Sequence, residues 1–309
     1  MIRSVVAVAL CCAASVAAFA GVPPQRLARA VTTARHAAPV SRRGFGSAAG
    51  GAVLLSSFAA PAQAAPSAAA KEYVTIAQRC AQNRDYGGAV VAWKRVVDLD
   101  PTADTLSNLA NAEVSADRLA DALVHYDAAV AALSPTAVES VWVVRLNRGV
   151  TRLALGDAKG ALEDLDVACA SETAAAVGAS ATLQSNRGLA LVRLERYAEA
   201  EAAFKVASKR TPAPVPWWLQ WALVLFELHR DTEALALIRR VTQKYGDAPE
   251  VLTAFAALLE LAEEPAGSKA TAAEERAQLS PADRAKYSDP KFARDTLHWP
   301  PRVIGGLRS

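Results

Sequence analysis

The fold is decided by residues 186–212, NRGLALVRLERYAEAEAAFKVASKRTP. Two small residues, Gly188 and Ala200, lie twelve positions apart within apolar positions at helical spacing. Small residues let two helices approach closely, and the large Phe204 can fill the gap beside them. Pro212 ends the second helix because its ring and missing N–H cannot continue one. The stretch therefore predicts a pair of closely packed helices.

The same pattern occurs five times along the chain. The small residue of the first helix falls at successive spacings of 33, 39, 39 and 34 residues, at Ala77, Ala110, Gly149, Gly188 and Ala222. The second helix carries its small residue at Ala89, Ala122, Ala161, Ala200 and Ala234, followed four positions later by Trp93, Tyr126, Leu165, Phe204 and Ile238. Such a pair cannot bury its apolar face alone, so stacking of successive pairs must supply the core.

A period near 34 with these positions resembles the tetratricopeptide repeat. The resemblance spans about residues 70–262 and implies an all-α fold, a right-handed α-solenoid of about five helix pairs, with Glu250–Leu261 as a capping helix. We place the array at 65–265 and a C-terminal extension at 266–309. That extension ends in Trp299-Pro-Pro, an ending similar to that of plastid lumen tetratricopeptide proteins. Its tryptophan is expected either on the array's own C-terminal end or in a partner.

The resemblance implies that function resides in a concave groove lined by the first helices. Three asparagines lie two positions before the small residue and resemble a family residue that holds the backbone of an extended ligand; the alternative is a hydrogen bond within the array. Gln78 and Asn111 keep the early groove polar, whereas later pairs present apolar residues that predict a trough for a partner or, alternatively, are core or covered by the tail. The predicted partner-binding residues are Asn108, Asn111, Asn147, Asn186, Val150, Leu189, Leu223 and Phe226.

Other chemistry leaves little signal in the sequence. No zinc-protease, nucleophile-elbow, phosphate-loop or paired-carboxylate motif occurs, so we expect no enzyme, no cofactor and no metal. The acidic run around Asp164 is expected on a solvated helix face. Cys80 and Cys169 are expected as buried thiols, with a disulfide as the alternative. The groove lacks the lysines and arginines with which family members grip acidic C-termini, so that carboxylate clamp is not expected.

Charge separates the first 64 residues from the rest. The whole chain has 34 basic and 31 acidic residues, but residues 1–64 hold six arginines and no acid. The remaining residues therefore carry 28 bases and 31 acids, a net charge of −3. No basic block is dense enough to indicate nucleic acid as a partner.

The first 64 residues are predicted to be a targeting segment. Residues 1–18 have the positive start and short apolar core of a signal peptide, cut before Phe19. Residues 19–64 continue with transit-peptide composition, Arg42-Arg43 before a second apolar run, and an Ala62-Gln-Ala64 cleavage site, which together resemble a twin-arginine signal. The three parts resemble the presequence of thylakoid-lumen proteins in algae with complex plastids. We expect this presequence to be disordered. The alternatives are a plastid membrane anchor or a mitochondrial presequence.

These features predict a non-enzymatic scaffold that binds an unidentified protein partner in its groove. The resemblance implies the assembly or maintenance of a photosynthetic thylakoid complex, and a permanent structural subunit of such a complex is the alternative. An enzyme with an unrecognised site is the remote alternative. A small-molecule substrate is not expected, and peripheral contact with a membrane is compatible with either leading role.

Overall fold

The computed structural model describes residues 67–133, 138–170, 180–262 and 268–307, and every regular element in those ranges is an α-helix. The targeting residues Phe19, Arg42, Arg43, Ala62 and Ala64 lie outside the described residues. The helices of the described residues are α1 (Ala68–Gln82), α2 (Tyr86–Leu99), α3 (Ala103–Ser115), α4 (Leu119–Ala132), α5 (Val138–Ala154), α6 (Ala158–Cys169), α7 (Ser180–Arg193), α8 (Tyr197–Ser208), α9 (Trp217–Glu227), α10 (Asp231–Tyr245), α11 (Pro249–Leu261), α12 (Ser268–Ala277), α13 (Pro281–Tyr287), α14 (Pro290–Asp295) and α15 (Pro301–Gly305).

The chain divides into two compact units at a boundary within α5, between Asn147 and Arg148. In the first unit α1 packs on α2, α2 on α3 and α3 on α4. Its core contains Ala110, Ala122 and Tyr126, all without exposed surface. In the second unit each helix from α6 to α11 packs on the next, and α11 also contacts α12, α13 and α15. The predicted all-α fold of consecutive helix pairs with a capping helix is confirmed.

The predicted small and large residues meet inside each pair. A Cβ atom on Gly188 would lie only 2.6 Å from Cε1 of Phe204, and one on Gly149 would lie 3.2 Å from the main-chain oxygen of Ala161. The other small residues are at most 1% exposed, as the tight approach of the two helices requires: Ala77, Ala89, Ala110, Ala122, Ala161, Ala200, Ala222 and Ala234. The repeated residue sizes in the sequence are therefore explained by the close packing of the two helices in each pair.

Each turn between the two helices of a pair contains one left-handed residue, which the sequence analysis did not predict. The φ angle lies between 57° and 89° at Arg84, Asp117, Gly156, Glu195 and His229. These positions follow the same spacings of 33, 39, 39 and 34 residues as the small residues. Side chains with a Cβ atom rarely adopt this region, so their presence at four of the five turns shows that the packing of the flanking helices imposes the conformation.

The expectation of a solvated helix face is confirmed for Glu163 and Asp166, which are exposed, but it was wrong for Asp164. Its side chain is 1% exposed and forms a two-point ion pair with Arg148, with Nε–Oδ2 and Nη2–Oδ1 distances of 2.8 and 2.6 Å. Nη1 of Arg152 adds a third contact, 2.8 Å from Oδ2. Burial is compatible with a charged carboxylate here because both of its oxygens are paired with guanidinium groups.

The two described cysteines, Cys80 and Cys169, are free, and each is half-buried rather than fully buried. Burial raises the pKa of the Cys169 thiol to about 11, with the charge of Arg187 opposing this shift and that of Asp166 adding to it. The thiol of Cys169 is therefore protonated at neutral pH, which makes it a poor nucleophile.

Candidate functional site

The candidate site lies in the first unit, where three helices bring polar side chains together. Asn111 is on α3, Tyr126 is on α4 and Asn147 is near the middle of α5. The hydroxyl of Tyr126 donates to Oδ1 of Asn111 at 2.5 Å, and Nδ2 of Asn147 donates to the same oxygen at 3.1 Å. Two donors on one oxygen fix the orientation of the Asn111 amide.

This arrangement leaves the other end of the Asn111 amide available. Asn111 is half-buried, and its Nδ2 has no hydrogen-bond partner among the described residues. An amide nitrogen carries two donor hydrogens, and a main-chain carbonyl is a suitable acceptor for either. Because its orientation is already fixed, the side chain loses little rotamer freedom when it binds such an acceptor.

Further polar side chains extend this surface. Asn108 lies three residues before Asn111, on the same side of α3, and is half-buried. Gln78 on α1 is exposed. The polar face, defined by Gln78, Asn108 and Asn111, offers amide groups that can both donate to and accept from a peptide backbone. It is the part of the predicted groove that stays accessible in the first unit.

The three asparagines at the same repeat position have different surroundings. Asn108 keeps exposed surface, whereas Asn147 and Asn186 are each 1% exposed. Nδ2 of Asn186 donates to the main-chain oxygen of Thr182 in its own helix at 2.9 Å, and its buried Oδ1 has no partner. Asn147 supports Asn111 instead. A direct role for either buried asparagine in partner binding stays a prediction.

The predicted apolar trough is largely buried. Val150 is 5% exposed, and Leu223 and Phe226 have no exposed surface, whereas Leu189 is half-buried. The guanidinium of Arg302, from the C-terminal tail, lies 3.9 Å from the centre of the Phe226 ring. The tail therefore occupies the place beside Phe226 that a partner would need. Contact of Val150, Leu189, Leu223 and Phe226 with a partner stays a prediction.

The tryptophan of the tail packs on the array's own C-terminal end. Trp299 is 3% exposed and belongs to the same apolar cluster as α9, α10 and α11. Burial of an indole accounts for a large apolar area, so this contact is a substantial part of what holds the tail in place.

Sequence reasoning missed two buried pairs of ionisable side chains that connect the helices of a pair. Glu113 on α3 has no exposed side-chain surface and lies 2.7 Å from Nδ1 of His125 on α4. Arg152 and Asp164 occupy the same two repeat positions, twelve residues apart, in the next pair. A pattern in the sequence could have predicted these pairs. Ionisable side chains of complementary character occupy two repeat positions in both pairs, and the last pair has Leu225 and Leu237 at the same two positions.

The described residues contain no group of three or more His, Cys, Asp or Glu side chains placed to hold a metal ion. Among these residues, no helix has the length and apolar character needed to cross a bilayer.

No protein-family model matches the sequence, and no curated protein is significantly similar to it. Solved structures do resemble it. A tetratricopeptide repeat protein from Parabacteroides merdae has a TM-score of 0.55 at 15% identity, with 79% of this chain and 100% of that chain covered. PilF of Pseudomonas aeruginosa has a TM-score of 0.55 at 18% identity, with 68% and 90% covered. MamA from Desulfovibrio magneticus RS-1 has a TM-score of 0.50 at 18% identity, with 58% and 96% covered. The chain therefore has the tetratricopeptide-repeat fold.

Proposed function

We propose that this chain is a non-enzymatic scaffold that binds an extended segment of a partner polypeptide on the polar face of its first unit. The observation that carries the proposal is the fixed amide of Asn111, whose Oδ1 is held by Tyr126 and Asn147 while Nδ2 is left unpaired. Asn108, one turn earlier on α3, and Gln78, exposed on α1, supply further amides. The fold adds support, because the similar structure of Cut9–Hcn1 is a hetero-tetramer of a protein with its partner.

A single substitution separates binding from folding at this site. Asn111→Asp keeps an oxygen that accepts from Tyr126 and Asn147 but replaces the outward donor with an acceptor. Affinity purification with the full chain should recover a partner that Asn111→Asp loses, while the melting temperature changes little. Gln243→Glu is a matched control, because it makes the same change of amide to carboxylate at an exposed position of α10 in the second unit. Equal recovery by the wild type and Asn111→Asp would refute the proposed role of Asn111.

The proposed location is the thylakoid lumen of a complex plastid, and the proposed task is the assembly or maintenance of a photosynthetic membrane complex. Support comes from the three-part resemblance of residues 1–64 and from the Trp-Pro-Pro ending. Mass spectrometry of the mature protein should find its N-terminus near Ala65. A start near Gly21 that retains the second apolar run would contradict the lumen.

A permanent subunit of such a complex is the second candidate, favoured by the tightly packed tail. Washing thylakoid membranes with salt distinguishes the two. Release at moderate salt, in sub-stoichiometric amounts, indicates a transient factor. Co-migration with the complex through a detergent gradient indicates a subunit.

A further inference from the structure

The C-terminal tail, residues 296–307, packs against the first helices of the last two positions in the array. Its helix α15 contacts both α9 and α11. Leu297, Trp299 and Val303 are at most 3% exposed. The tail is not part of the repeat pattern, yet it occupies the groove side of the second unit, where a ligand of such an array would lie.

One contact is of the kind that the resemblance implied for the asparagines of earlier pairs, a side-chain amide that binds a main-chain carbonyl. Gln220 lies two positions before the small residue Ala222, the repeat position that holds asparagine in the three preceding pairs. Its Nε2 donates to the main-chain oxygen of Leu297 at 3.3 Å. A side-chain amide of the array therefore holds the backbone of the tail.

A second contact is an arginine pocket. Nη1 and Nη2 of Arg302 lie 2.5 and 2.7 Å from the two carboxylate oxygens of Asp231, and its guanidinium stacks 3.9 Å from the centre of the Phe226 ring. The main-chain oxygen of Phe226 accepts a further bond from Nη1, and Oε2 of Glu227 accepts from the main-chain N–H of Arg302 at 2.9 Å. A planar, two-point, aromatic-backed site of this kind selects arginine over lysine.

Some polar groups in this groove lack a full hydrogen bond while the tail occupies it. Oε1 of Gln220 is buried without a hydrogen-bond partner, and the indole N–H of Trp299 interacts with the carboxyl of Glu250 but falls short of a full hydrogen bond. Directly after Leu297 the backbone turns through His298, whose φ of 53° is the left-handed region that non-glycine residues rarely adopt.

We propose that the groove of α9 and α11 is a recognition site for a polypeptide segment with a tryptophan followed three residues later by an arginine, and that the tail occupies it as an intramolecular ligand. A partner segment with the same two side chains competes with the tail. The carboxylate of Asp231 requires the cation, Glu227 binds the main-chain N–H of the same residue, and the buried indole position requires the large aromatic ring. This site belongs to the second unit, so it can fail without affecting the proposed role of Asn111.

The test uses the full chain with a weakened tail. The double variant Trp299→Ala/Arg302→Ala should bind a fluorescein-labelled peptide TLHWPPRVIGGL, the sequence of residues 296–307, in a fluorescence anisotropy titration. The wild type should bind it at least about tenfold more weakly, since a tethered tail competes at an effective concentration on the order of millimolar. Adding Asp231→Asn to the double variant should weaken binding by at least about tenfold. The proposal would be overturned if the peptide did not bind a double variant that circular dichroism shows to be helical. It would also be overturned if Asp231→Asn left the affinity for the peptide unchanged.

A measurement on the wild type covers the case in which the variant does not fold. Excess TLHWPPRVIGGL should accelerate amide hydrogen exchange in residues 297–307, whereas the control peptide TLHAPPAVIGGL should not. Unchanged exchange at the highest peptide concentration would overturn the proposal. A wild-type dimer in analytical ultracentrifugation that Arg302→Ala dissolves would also overturn it, because the occupant would then be the tail of a second copy.

Discussion

Replacing Glu250 by Gln should remove a pH dependence from the stability of the second unit. Glu250 lies in the first turn of α11 and is 5% exposed. Burial raises the pKa of its carboxyl to about 8, and the indole of Trp299 and the charge of Lys286 only partly oppose this shift. The Trp299 indole favours the ionised carboxylate, although its N–H falls short of a full hydrogen bond.

The sign and size of the effect follow from the difference between the folded and unfolded pKa of this carboxyl. Below pH 4.5 the carboxyl of Glu250 is protonated in both states, so it contributes no pH dependence. Between 4.5 and about 8 only the unfolded state loses the proton, so the free energy of unfolding falls as pH rises, and the loss is complete above 8. At about 1.4 kcal/mol per pKa unit, the whole span is worth at most about 5 kcal/mol.

A histidine of the tail opposes part of this slope. Burial lowers the pKa of His298 from 6.5 to about 4, with Arg193 acting in the same direction. The folded state therefore prefers neutral His298, and the stability it contributes is lost as pH falls from 6.5 to about 4. The two slopes oppose each other below pH 6.5, so Glu250 acts alone between 6.5 and 8. The wild type should lose about 2 kcal/mol across that window.

Urea titrations at several pH values, followed by circular dichroism at the helical band, measure this loss. The wild type should show a falling free energy of unfolding between pH 6.5 and 8, and Glu250→Gln should be nearly flat there. Glu72→Gln, at an exposed position of α1, should behave as the wild type. Parallel pH profiles for the wild type and Glu250→Gln would refute the reasoning.

Three further substitutions test the packing, each measured by urea denaturation. Gly156→Ala should lower the free energy of unfolding by about 1 kcal/mol through backbone strain alone, because φ is 89° and a Cβ atom would meet nothing within 4 Å. Unchanged stability would contradict the view that the flanking helices impose a left-handed conformation on this turn. Asp164→Asn removes the buried carboxylate that pairs with Arg148 and Arg152 and should cost roughly 3 kcal/mol, and a neutral result would show that the ion pair is dispensable. Gly188→Ala should cost about 1–3 kcal/mol from the 2.6 Å clash with Phe204, relieved in Gly188→Ala/Phe204→Leu; a stabilised single variant would mean that the helices can separate.

The repeat could be predicted from sequence because it depends on residue size at fixed spacing. Ala77, Ala110, Gly149, Gly188 and Ala222 share little except a small side chain, and that property is what the close helix approach requires. The left-handed turns could not be predicted in the same way. Only Gly156 among the five has the residue type that marks such a turn, so residue identity carried no common signal.

The candidate site was predicted only in outline. The sequence placed Asn111 on the polar part of the groove, but the orientation of its amide depends on Tyr126 and Asn147, which lie 15 and 36 residues away along the chain. Likewise, the burial of Phe226 depends on Arg302, 76 residues further on. Contacts of that length follow from tertiary packing and leave no periodic pattern in the sequence.

Site-specific photo-crosslinking tests the central claim most directly. A benzophenone amino acid at Gln78, on the polar face, is compared with one at Val124, which is 65% exposed on the second helix α4. The account predicts that Gln78 crosslinks to one defined polypeptide, that Val124 does not, and that Asn111→Asp abolishes the product. Equal crosslinking from both positions, or a product that persists in Asn111→Asp, would contradict a partner-binding role for this face.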